Sequence, residues 1–555
     1  MDELQVSFTS DGKTQKTVCP YGAVADEVLS GLGVLDDGMF ALRVNNEIRP
    51  LKTRLTVNSA LEPVLSDSPE GVKIYRRSLA FLLAVAARRL FPERRLFVGH
   101  SLGRSYYYTF KSDQPLAEKD IAALQGEMEE LVRRNLPITF KNLGYEEAVK
   151  VFSEYRQADT VLLLEQRSTS RIKVNECDGC IDLYVEPLVP RTGLLPAFEL
   201  LPYQEGFLLR FPGTGRGTAL DPFNDEPHLF SIYSEYKKWG RIVGLRVAGD
   251  LNSLVTSRTI LDYIRIAEAH HTYKIAKIAE QICEQKDRVK TVLLAGPSSS
   301  GKTTSAKRLA VELMVRGIKP LAISLDDYFV GTDRTPKDEK GDPDYECLEA
   351  MDIPYLNEQL RALYRGEEIT LPVYDFKTGS RSAEGGRKIH LDRRMVLIVE
   401  GIHALNDKLT PSVDRDTKFK VYVSALTQLN LDDHNRIPTS DDRMLRRMVR
   451  DYQFRGKDAA GTIKMWPNVQ AGEKKHIFPY QNTADAVFNS ALDYEISVLK
   501  YYADPILRAV KPGQREYSEA SRLLSFLENF APIPPQYVPG SSILREFIGD
   551  SEFKY

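Results

Sequence analysis

A loop rich in glycine and serine, Gly296–Thr304, has the residue types and spacing of a phosphate-binding site. It follows the pattern G-x-x-x-x-G-K-[ST]. The glycines let the backbone curl so that successive N–H groups face phosphate oxygens, the lysine adds a cation, and the threonine hydroxyl can hold Mg²⁺. The predicted cofactor-binding residues are Gly296, Ser298, Ser299, Ser300, Gly301, Lys302, Thr303 and Thr304.

The segments on either side supply the elements that such a loop needs. The apolar run Thr291–Ala295 predicts a buried strand before the loop. After Lys302, apolar residues recur at helical spacing until Gly317 and Pro320, which end the predicted helix. Strand, loop and helix in this order predict an α/β domain that binds a nucleoside triphosphate such as ATP.

Two acidic residues follow further predicted strands of the same sheet. Asp326 follows the strand ending at Ser324, and Glu400 follows the apolar strand Met395–Val399. Ligands bind at the carboxyl ends of the strands in open α/β sheets. We therefore predict that Asp326 takes a proton from an attacking hydroxyl, and that Glu400 joins Thr303 in holding Mg²⁺.

Four arginines, Arg443, Arg446, Arg447 and Arg450, fall on one face of a predicted helix. Such a cluster repels itself unless phosphate or carboxylate groups lie opposite. A lid that closes over ATP explains the cluster. The alternative is a solvated basic helix that acidic neighbours partly neutralise, namely Asp441, Asp442 and Asp451.

Residues 285–500 resemble the uridine kinase and phosphoribulokinase family in the order and spacing of five segments. These are Gly296–Thr304, Ser324–Phe329, Pro372–Phe376, Glu400–Ile402 and Arg446–Gly456. The resemblance implies that Asp326, Lys302, Arg450 and Arg455 are catalytic and that Thr303 and Glu400 hold magnesium. The substrate residues that it implies are Asp326, Glu346, Tyr374, Phe376, Arg381 and Arg447.

Two departures from the family pattern concern the acceptor. The family has an acidic residue followed by His and Pro where this chain has Glu346-Cys347-Leu348, and Glu346 could still hold ribose hydroxyls. The family also has a pyrimidine-recognising His where this chain has Gly379. We expect ATP-dependent phosphorylation of a small hydroxyl acceptor, with the 5′-hydroxyl of a uridine-like nucleoside favoured over a sugar.

The front of the chain resembles parts of aminoacyl-tRNA synthetases. A predicted ββαββ order resembles the TGS β-grasp domain, and the stretch from Arg77 to Tyr108 resembles the editing domain of threonyl-type synthetases. The four metal-type ligands of that domain fall on Phe81, Val85, Tyr184 and Leu188, none of which supplies His or Cys chemistry. The chain is therefore not expected to edit tRNA. For the ββαββ segment, the alternative to a TGS domain is an unrelated small α+β domain.

Length and patterning predict a multidomain α/β and α+β protein with a doubly wound parallel sheet in its C-terminal half. The expected domains are 1–65 (TGS-like), 66–240 (editing-like), 241–284 (a connecting helix beginning near Leu254), 285–510 (kinase-like) and 511–555 (a helical tail). Within the second domain, Asp159–Leu164 is expected to form a strand.

The 555 residues carry a net charge of -2, so no overall basic field favours nucleic acid or a membrane. Six arginines between Arg76 and Arg95 leave an RNA contact as an alternative to a solvated helix face. The acidic start Met1–Gln5 does not resemble a signal peptide, and the five cysteines are scattered, so a cytoplasmic protein is expected. A homo-oligomer is expected as well, although no motif specifies it. A regulatory NTPase is the alternative to a kinase, although no guanine-recognising [NT]-K-x-D motif is present.

Overall fold

The computed structural model describes residues 3–111, 116–167, 169–213, 219–338, 341–375, 378–382, 385–392 and 394–554. The chain divides into two compact units. The first contains Met1–Thr256, Gln428–Ile437 and Asp504–Ala531, and the second contains Ser257–Thr427, Pro438–Ala503 and Pro532–Tyr555. Among the described residues, no helix is both long enough and apolar enough to cross a membrane.

The first unit begins with a five-stranded mixed sheet and one helix. The elements are β1 (Glu3–Ser10), β2 (Lys13–Pro20), α1 (Ala25–Gly31), β3 (Met39–Val44), β4 (Glu47–Arg49) and β5 (Ser59–Leu65). The strand order is β2-β1-β5-β3-β4, with β1 antiparallel to β2 and parallel to β5. The predicted ββαββ order is present, with β5 as an additional strand, and the β-grasp identification stays a prediction.

The rest of the first unit is built on the buried helix α2, which Ser68 caps by accepting a hydrogen bond from the Gly71 N–H. Two further sheets have the orders β11-β12-β7-β6 and β10-β9-β8. The elements are α2 (Pro69–Leu90), β6 (Arg95–Ser101), β7 (Ser105–Lys111), α3 (Glu118–Arg134), β8 (Thr139–Gly144), α4 (Tyr145–Glu154), α5 (Ala158–Glu165), β9 (Arg171–Cys177), β10 (Cys180–Leu183), β11 (Glu199–Tyr203), β12 (Gly206–Arg210), α6 (Pro227–Val243) and α7 (Ala248–Thr256).

Two predictions of secondary structure are wrong. Asp159–Leu164 lies in helix α5, because a short apolar run fits a buried helix as well as a strand and Leu163 and Leu164 are buried in this one. The single helix expected from Leu254 to Glu284 is two helices, α7 and α8 (Ile260–Glu284). The break contains Arg258, whose φ of 62° is not helical.

The second unit is a doubly wound α/β structure around a five-stranded sheet. Its order is β14-β19-β13-β20-β21, and every pairing is parallel. Its elements after α8 are β13 (Thr291–Ala295), α9 (Lys302–Val315), β14 (Lys319–Ser324), α10 (Ile353–Tyr364), β15 (Ile369–Thr370), β16 (Tyr374–Asp375), β17 (Ser380–Arg381), β18 (Lys388–Ile389), β19 (Met395–Glu400), β20 (Lys418–Ser424), α11 (Thr439–Phe454), α12 (Ala459–His476), β21 (Ala486–Asn489) and α13 (Glu495–Arg508).

The C-terminal segment, predicted to be a helical tail, contains two helices. Helix α14 (Tyr517–Leu527) lies in the first unit, and the single-turn helix α15 (Arg545–Ile548) lies in the second. The described segment from Pro532 onward therefore packs with the parallel sheet and its helices.

Candidate active site

The phosphate-binding loop connects β13, in the middle of the sheet, to α9. Both of its glycines are required by the backbone. A Cβ at Gly296 would collide with the Val423 carbonyl, and Gly301 has a φ of 79°, which other residues rarely adopt. Inside the loop, Lys302 Nζ donates to the Pro297 carbonyl at 3.1 Å.

The carboxyl end of β19 brings Glu400 to the start of α9. Glu400 Oε1 accepts hydrogen bonds from the Thr303 hydroxyl at 3.2 Å and from the Ser324 hydroxyl at 3.0 Å. Burial and the nearby Asp326 carboxylate raise the pKa of Glu400 to about 7. The two residues predicted to hold magnesium are thus in contact, and both offer the oxygen ligands that Mg²⁺ takes.

Asp326 lies in the turn Leu325–Tyr328 directly after β14, at the same edge of the sheet. It is near enough to Glu400 to raise the pKa of that carboxyl group. The neighbouring Asp327 accepts a hydrogen bond from the Tyr374 N–H at 3.4 Å. The turn therefore lies between the phosphate-binding loop and the residues predicted to bind the acceptor.

The arginine helix α11 lies against the loop, but its cations are already paired. Arg446 is fully buried between Glu495, 2.5 Å away, and Asp442, 3.7 Å away. Arg443 is also buried, donates to the Ser298 carbonyl at 2.9 Å and pairs with Glu473. The interpretation of all four arginines as a closing lid is therefore wrong for Arg443 and Arg446, because carboxylates hold them in the core.

Arg447, Arg450 and Arg455 have more accessible positions. Arg447 donates to the Ser298 hydroxyl at 2.6 Å. All three lie within 4 Å of Asp451, at 3.3, 3.0 and 3.8 Å respectively. Asp451 thus pairs with three arginines, and Arg447 reaches the loop itself.

On the predicted acceptor side, Glu346 is only partly exposed, and its Oε2 atom is buried with no hydrogen-bond partner among the described residues. Burial and the nearby Glu473 carboxylate raise its pKa to about 7. A buried acceptor atom without a partner suits a ligand hydroxyl. The role of Glu346 in binding an acceptor stays a prediction.

The other predicted acceptor residues have different environments. Tyr374, in β16, packs its ring against Phe329 at 5.6 Å. Arg381, in β17, is bound to Asp352 at 2.9 Å and donates to the Tyr328 carbonyl at 3.3 Å, so these contacts restrain it. Phe376, the second predicted aromatic residue, lies outside the described residues.

The backbone conformation at Gly379 explains why this chain lacks the histidine of the family pattern there. Its φ is 67°, and a Cβ there would collide with the Thr332 hydroxyl. The Gly379 carbonyl also accepts a hydrogen bond from the Thr332 N–H at 2.8 Å. A histidine would strain this turn, so the chain has no base-recognising ring at this position.

Two carboxylates at the loop were not found by sequence reasoning. Glu473, in α12, accepts a hydrogen bond from the Ser298 N–H at 3.0 Å. Glu546, in α15, accepts hydrogen bonds from the Thr304 N–H at 3.1 Å and the Thr304 hydroxyl at 2.6 Å. No motif marks either residue, since each reaches the loop only through tertiary packing.

In the first unit, the editing-type positions hold no metal site. Phe81, Val85 and Leu188 are buried apolar residues, and Tyr184 packs against Lys173, whose Nζ lies 3.9 Å from the ring centroid. No group of three or more His, Cys, Asp or Glu side chains able to hold a metal ion occurs in the described part of the chain.

The six arginines between Arg76 and Arg95 all have partners within the chain. Arg77, Arg89, Arg94 and Arg95 pair with Glu186, Glu127, Asp120 and Asp433, and Arg76 and Arg88 lie over the rings of Phe211 and Tyr155. These contacts neutralise or cover much of the patch, so the patch adds no support for an RNA contact.

Comparisons with known proteins match two different parts of the chain. Residues 292–497 match the model of the Phosphoribulokinase / Uridine kinase family. The N-terminal part is similar to threonine–tRNA ligases. That of Desulfovibrio desulfuricans is 34% identical over 143 residues, or 26% of this chain and 22% of that protein, and that of Symbiobacterium thermophilum is 31% identical over 184 residues, or 33% and 28%. The chain thus spans less than a third of the length of these relatives.

Two solved structures are similar to part of the chain. One, described as a possible uridine kinase from Bacillus stearothermophilus, has 21% identity and a TM-score of 0.25, covering 38% of this chain and 97% of that one. The other is a D-glycerate 3-kinase from Cryptococcus neoformans, with 15% identity and a TM-score of 0.23, covering 46% and 87%.

Proposed function

We propose a function from the premise that residues 292–497 belong to the Phosphoribulokinase / Uridine kinase family: the protein transfers the γ-phosphoryl group of ATP to a hydroxyl of a small molecule, most favourably the 5′-hydroxyl of a nucleoside. One observation carries the proposal. The phosphate-binding loop, the Thr303–Glu400 pair and Asp326 meet at the carboxyl edge of one parallel sheet. That edge is where α/β proteins bind ligands.

The described residues fit a magnesium ion and the phosphates of ATP. The Thr303 hydroxyl and the Glu400 carboxylate would hold Mg²⁺ together with phosphate oxygens, since Mg²⁺ in such sites takes one or two carboxylates plus substrate phosphates. When bound, the ion would neutralise phosphate charge. Lys302 and the N–H groups of the loop would hold the phosphates themselves.

The remaining residues of the chain would align and activate the acceptor. Asp326 would take the proton from the attacking hydroxyl oxygen. Arg447, Arg450 and Arg455 would offset charge on the transferring group, and no covalent intermediate with the protein is needed. The buried Oε2 of Glu346 would accept a hydrogen bond from a second hydroxyl, which favours a ribose or another polyol over a simple alcohol.

The residues on the acceptor side favour recognition of a sugar over recognition of one particular base. With Gly379 in a turn of positive φ that a histidine would strain, no ring recognises a pyrimidine edge at that position. A pocket that contacts the sugar hydroxyls more than the base accepts several nucleosides. We therefore expect broad use of ribonucleosides and weaker use of 2′,3′-dideoxynucleosides, which lack the hydroxyls that Glu346 would bind.

The test is ADP formation by the purified full chain with Mg·ATP and a panel of ribonucleosides, dideoxynucleosides, sugars and glycerate. Acceptor-stimulated ADP formation by wild type, abolished in Asp326→Asn while ATP binding persists, is the expected result. The matched control is Asp327→Asn, which changes the neighbouring carboxylate and should retain transfer. Equal activity of Asp326→Asn and wild type would rule out Asp326 as the base.

A further inference from the structure

The tail places a carboxylate on the N-terminus of α9, the helix that follows the phosphate-binding loop. The first intrahelical hydrogen bond of α9 runs from the Ser305 N–H to the Gly301 carbonyl, so the N–H of Thr304 has no acceptor within the helix. Glu546 accepts from this N–H at 3.1 Å and from the Thr304 hydroxyl at 2.6 Å. One carboxylate therefore satisfies both donors of Thr304.

These donors are of the kind that binds phosphate. Unpaired N–H groups and the dipole at a helix N-terminus favour an anion, and a carboxylate meets the same demand as a phosphate oxygen. A second observation also points to a polar ligand. The hydroxyls of Ser299 and Ser300 are buried in the loop without hydrogen-bond partners among the described residues. The loop that precedes α9 thus contains two buried hydroxyls that the described protein residues leave unused.

The backbone that carries Glu546 is firmly fixed. Arg545 donates to the carbonyls of Pro535 and Val538, at 3.1 and 2.7 Å, and holds the turn in place. Ile543 and Phe547 are fully buried, and the Arg446 guanidinium lies 5.1 Å from the Phe547 ring centroid. The Glu546 side chain can therefore leave Thr304 by a change of rotamer while the tail stays packed.

We propose that the Glu546 carboxylate competes with ATP for Thr304. The phosphates of ATP must displace this carboxylate before they occupy the N-terminus of α9. The proposal rests on the proposed function, because it concerns the same donor site. If only a fraction of molecules has Thr304 free, the apparent dissociation constant of the donor rises by the inverse of that fraction. Glu546 thereby raises the ATP concentration at which half of the sites are occupied.

The test compares equilibrium binding of Mg·ATP to the full chain as wild type, Glu546→Gln and Asp550→Asn, measured by calorimetry without an acceptor. Glu546→Gln keeps the size of the side chain and removes its charge. Asp550→Asn removes a charge from the same tail at a side chain that is 93% exposed and that pairs with Arg545 at 3.7 Å. It therefore shows whether weakening a contact of this turn, with Glu546 intact, changes ATP binding. Thermal unfolding of all three proteins checks that each is folded.

The expected result is about tenfold tighter ATP binding by Glu546→Gln, which corresponds to Thr304 being free in about one wild-type molecule in ten, with Asp550→Asn within twofold of wild type. Inorganic tripolyphosphate should show the same gain, since the competition concerns phosphates. Equal or weaker ATP binding by Glu546→Gln would overturn the proposal, as would a gain for ATP that tripolyphosphate does not share.

The two proposals fail in different ways. If no acceptor is phosphorylated but Glu546→Gln binds ATP more tightly, the kinase assignment fails and the competitor stands. If transfer occurs but the substitution leaves ATP binding unchanged, the kinase assignment stands and the competitor is refuted.

Discussion

The hydroxyl of Thr303 donates a hydrogen bond to Glu400 across 3.2 Å, which links the start of α9 to the carboxyl end of β19. Glu400→Gln should weaken Mg²⁺ binding to the ATP complex by about 10- to 100-fold, because the variant loses an anionic oxygen ligand. ATP binding without metal should change little. Titration of Mg²⁺ against transfer activity, together with metal-free ATP binding, measures both effects.

Thr303→Ser is the matched control, since it keeps a hydroxyl at the same position. It should retain most of the Mg²⁺ affinity, whereas Thr303→Val should lose it. Similar behaviour of the serine and valine variants would contradict a role for the hydroxyl.

Glu346→Gln should change stability in a pH-dependent way. Burial and Glu473 raise the pKa of Glu346 to about 7, whereas an unfolded glutamate titrates near ~4.3. Between these two pH values, Glu346 carries a proton in the folded protein but not in the unfolded chain. The free energy of unfolding therefore falls as pH rises toward 7, and above pH 7 the ionised Glu346 destabilises the fold. Thermal unfolding should show the variant more stable than wild type at pH 8 and similar to it at pH 4.5.

The same variant should lose activity toward polyol acceptors, because the amide is a poorer acceptor for a hydroxyl than the carboxylate. A rise of KM for the nucleoside with little change in KM for ATP is expected. A Glu346→Gln protein with unchanged nucleoside kinetics would exclude Glu346 from the acceptor pocket.

Arg446→Met should destabilise the second unit strongly. The substitution leaves Glu495 and Asp442 buried without their cation, and breaking a buried pair in this way costs about 3–5 kcal/mol. Arg365→Met removes an exposed pair with Glu367 in the same unit and should have little effect on stability. Urea unfolding compares the two variants, and equal midpoints would show that Arg446 is not a structural cation.

Asp182→Asn should destabilise the first unit at neutral pH. Burial of His434 lowers its pKa, but the Asp182 carboxylate, 2.8 Å away, raises the pKa by more. The pKa of His434 is therefore about 9. The pair stabilises the fold fully below about pH 6.5, the unfolded pKa, and this stability is lost as pH rises through 9. The variant should unfold at a lower temperature than wild type at pH 7, with the gap shrinking at pH 10.

Sequence motifs and hydrophobic periodicity were enough to predict the phosphate-binding loop and the acidic residues at the sheet edge. The strand, loop and helix around Gly296–Thr304 come from short-range rules, and the parallel-sheet rule places Asp326 and Glu400 at one edge. The helix at Asp159–Leu164 was not predictable, because its few apolar residues fit either period. The break at Arg258 was missed for a related reason, since the helical periodicity continues across it.

The carboxylates that hold the loop and the arginine helix could not be predicted. Glu473 and Glu546 lie 175 and 242 residues away in sequence from the loop residues that they bind. Their positions depend on how α12 and the tail pack, which no spacing in the sequence encodes. The spacing of the four arginines correctly predicts that anionic groups lie opposite them. For Arg443 and Arg446 those groups are protein carboxylates rather than the phosphates of ATP.

Each of the two units is built from three separate segments of the chain, and this affects the order in which they can fold during synthesis. The first unit uses residues up to Thr256 but also needs Gln428–Ile437 and Asp504–Ala531. A ribosome that has finished the synthetase-like part has therefore not yet made all of that unit. Its assembly can be completed only after Ala531 is translated, when all five strands of the parallel sheet, the last of which ends at Asn489, have been synthesised. The first unit therefore cannot finish folding before the sheet of the second unit has been made.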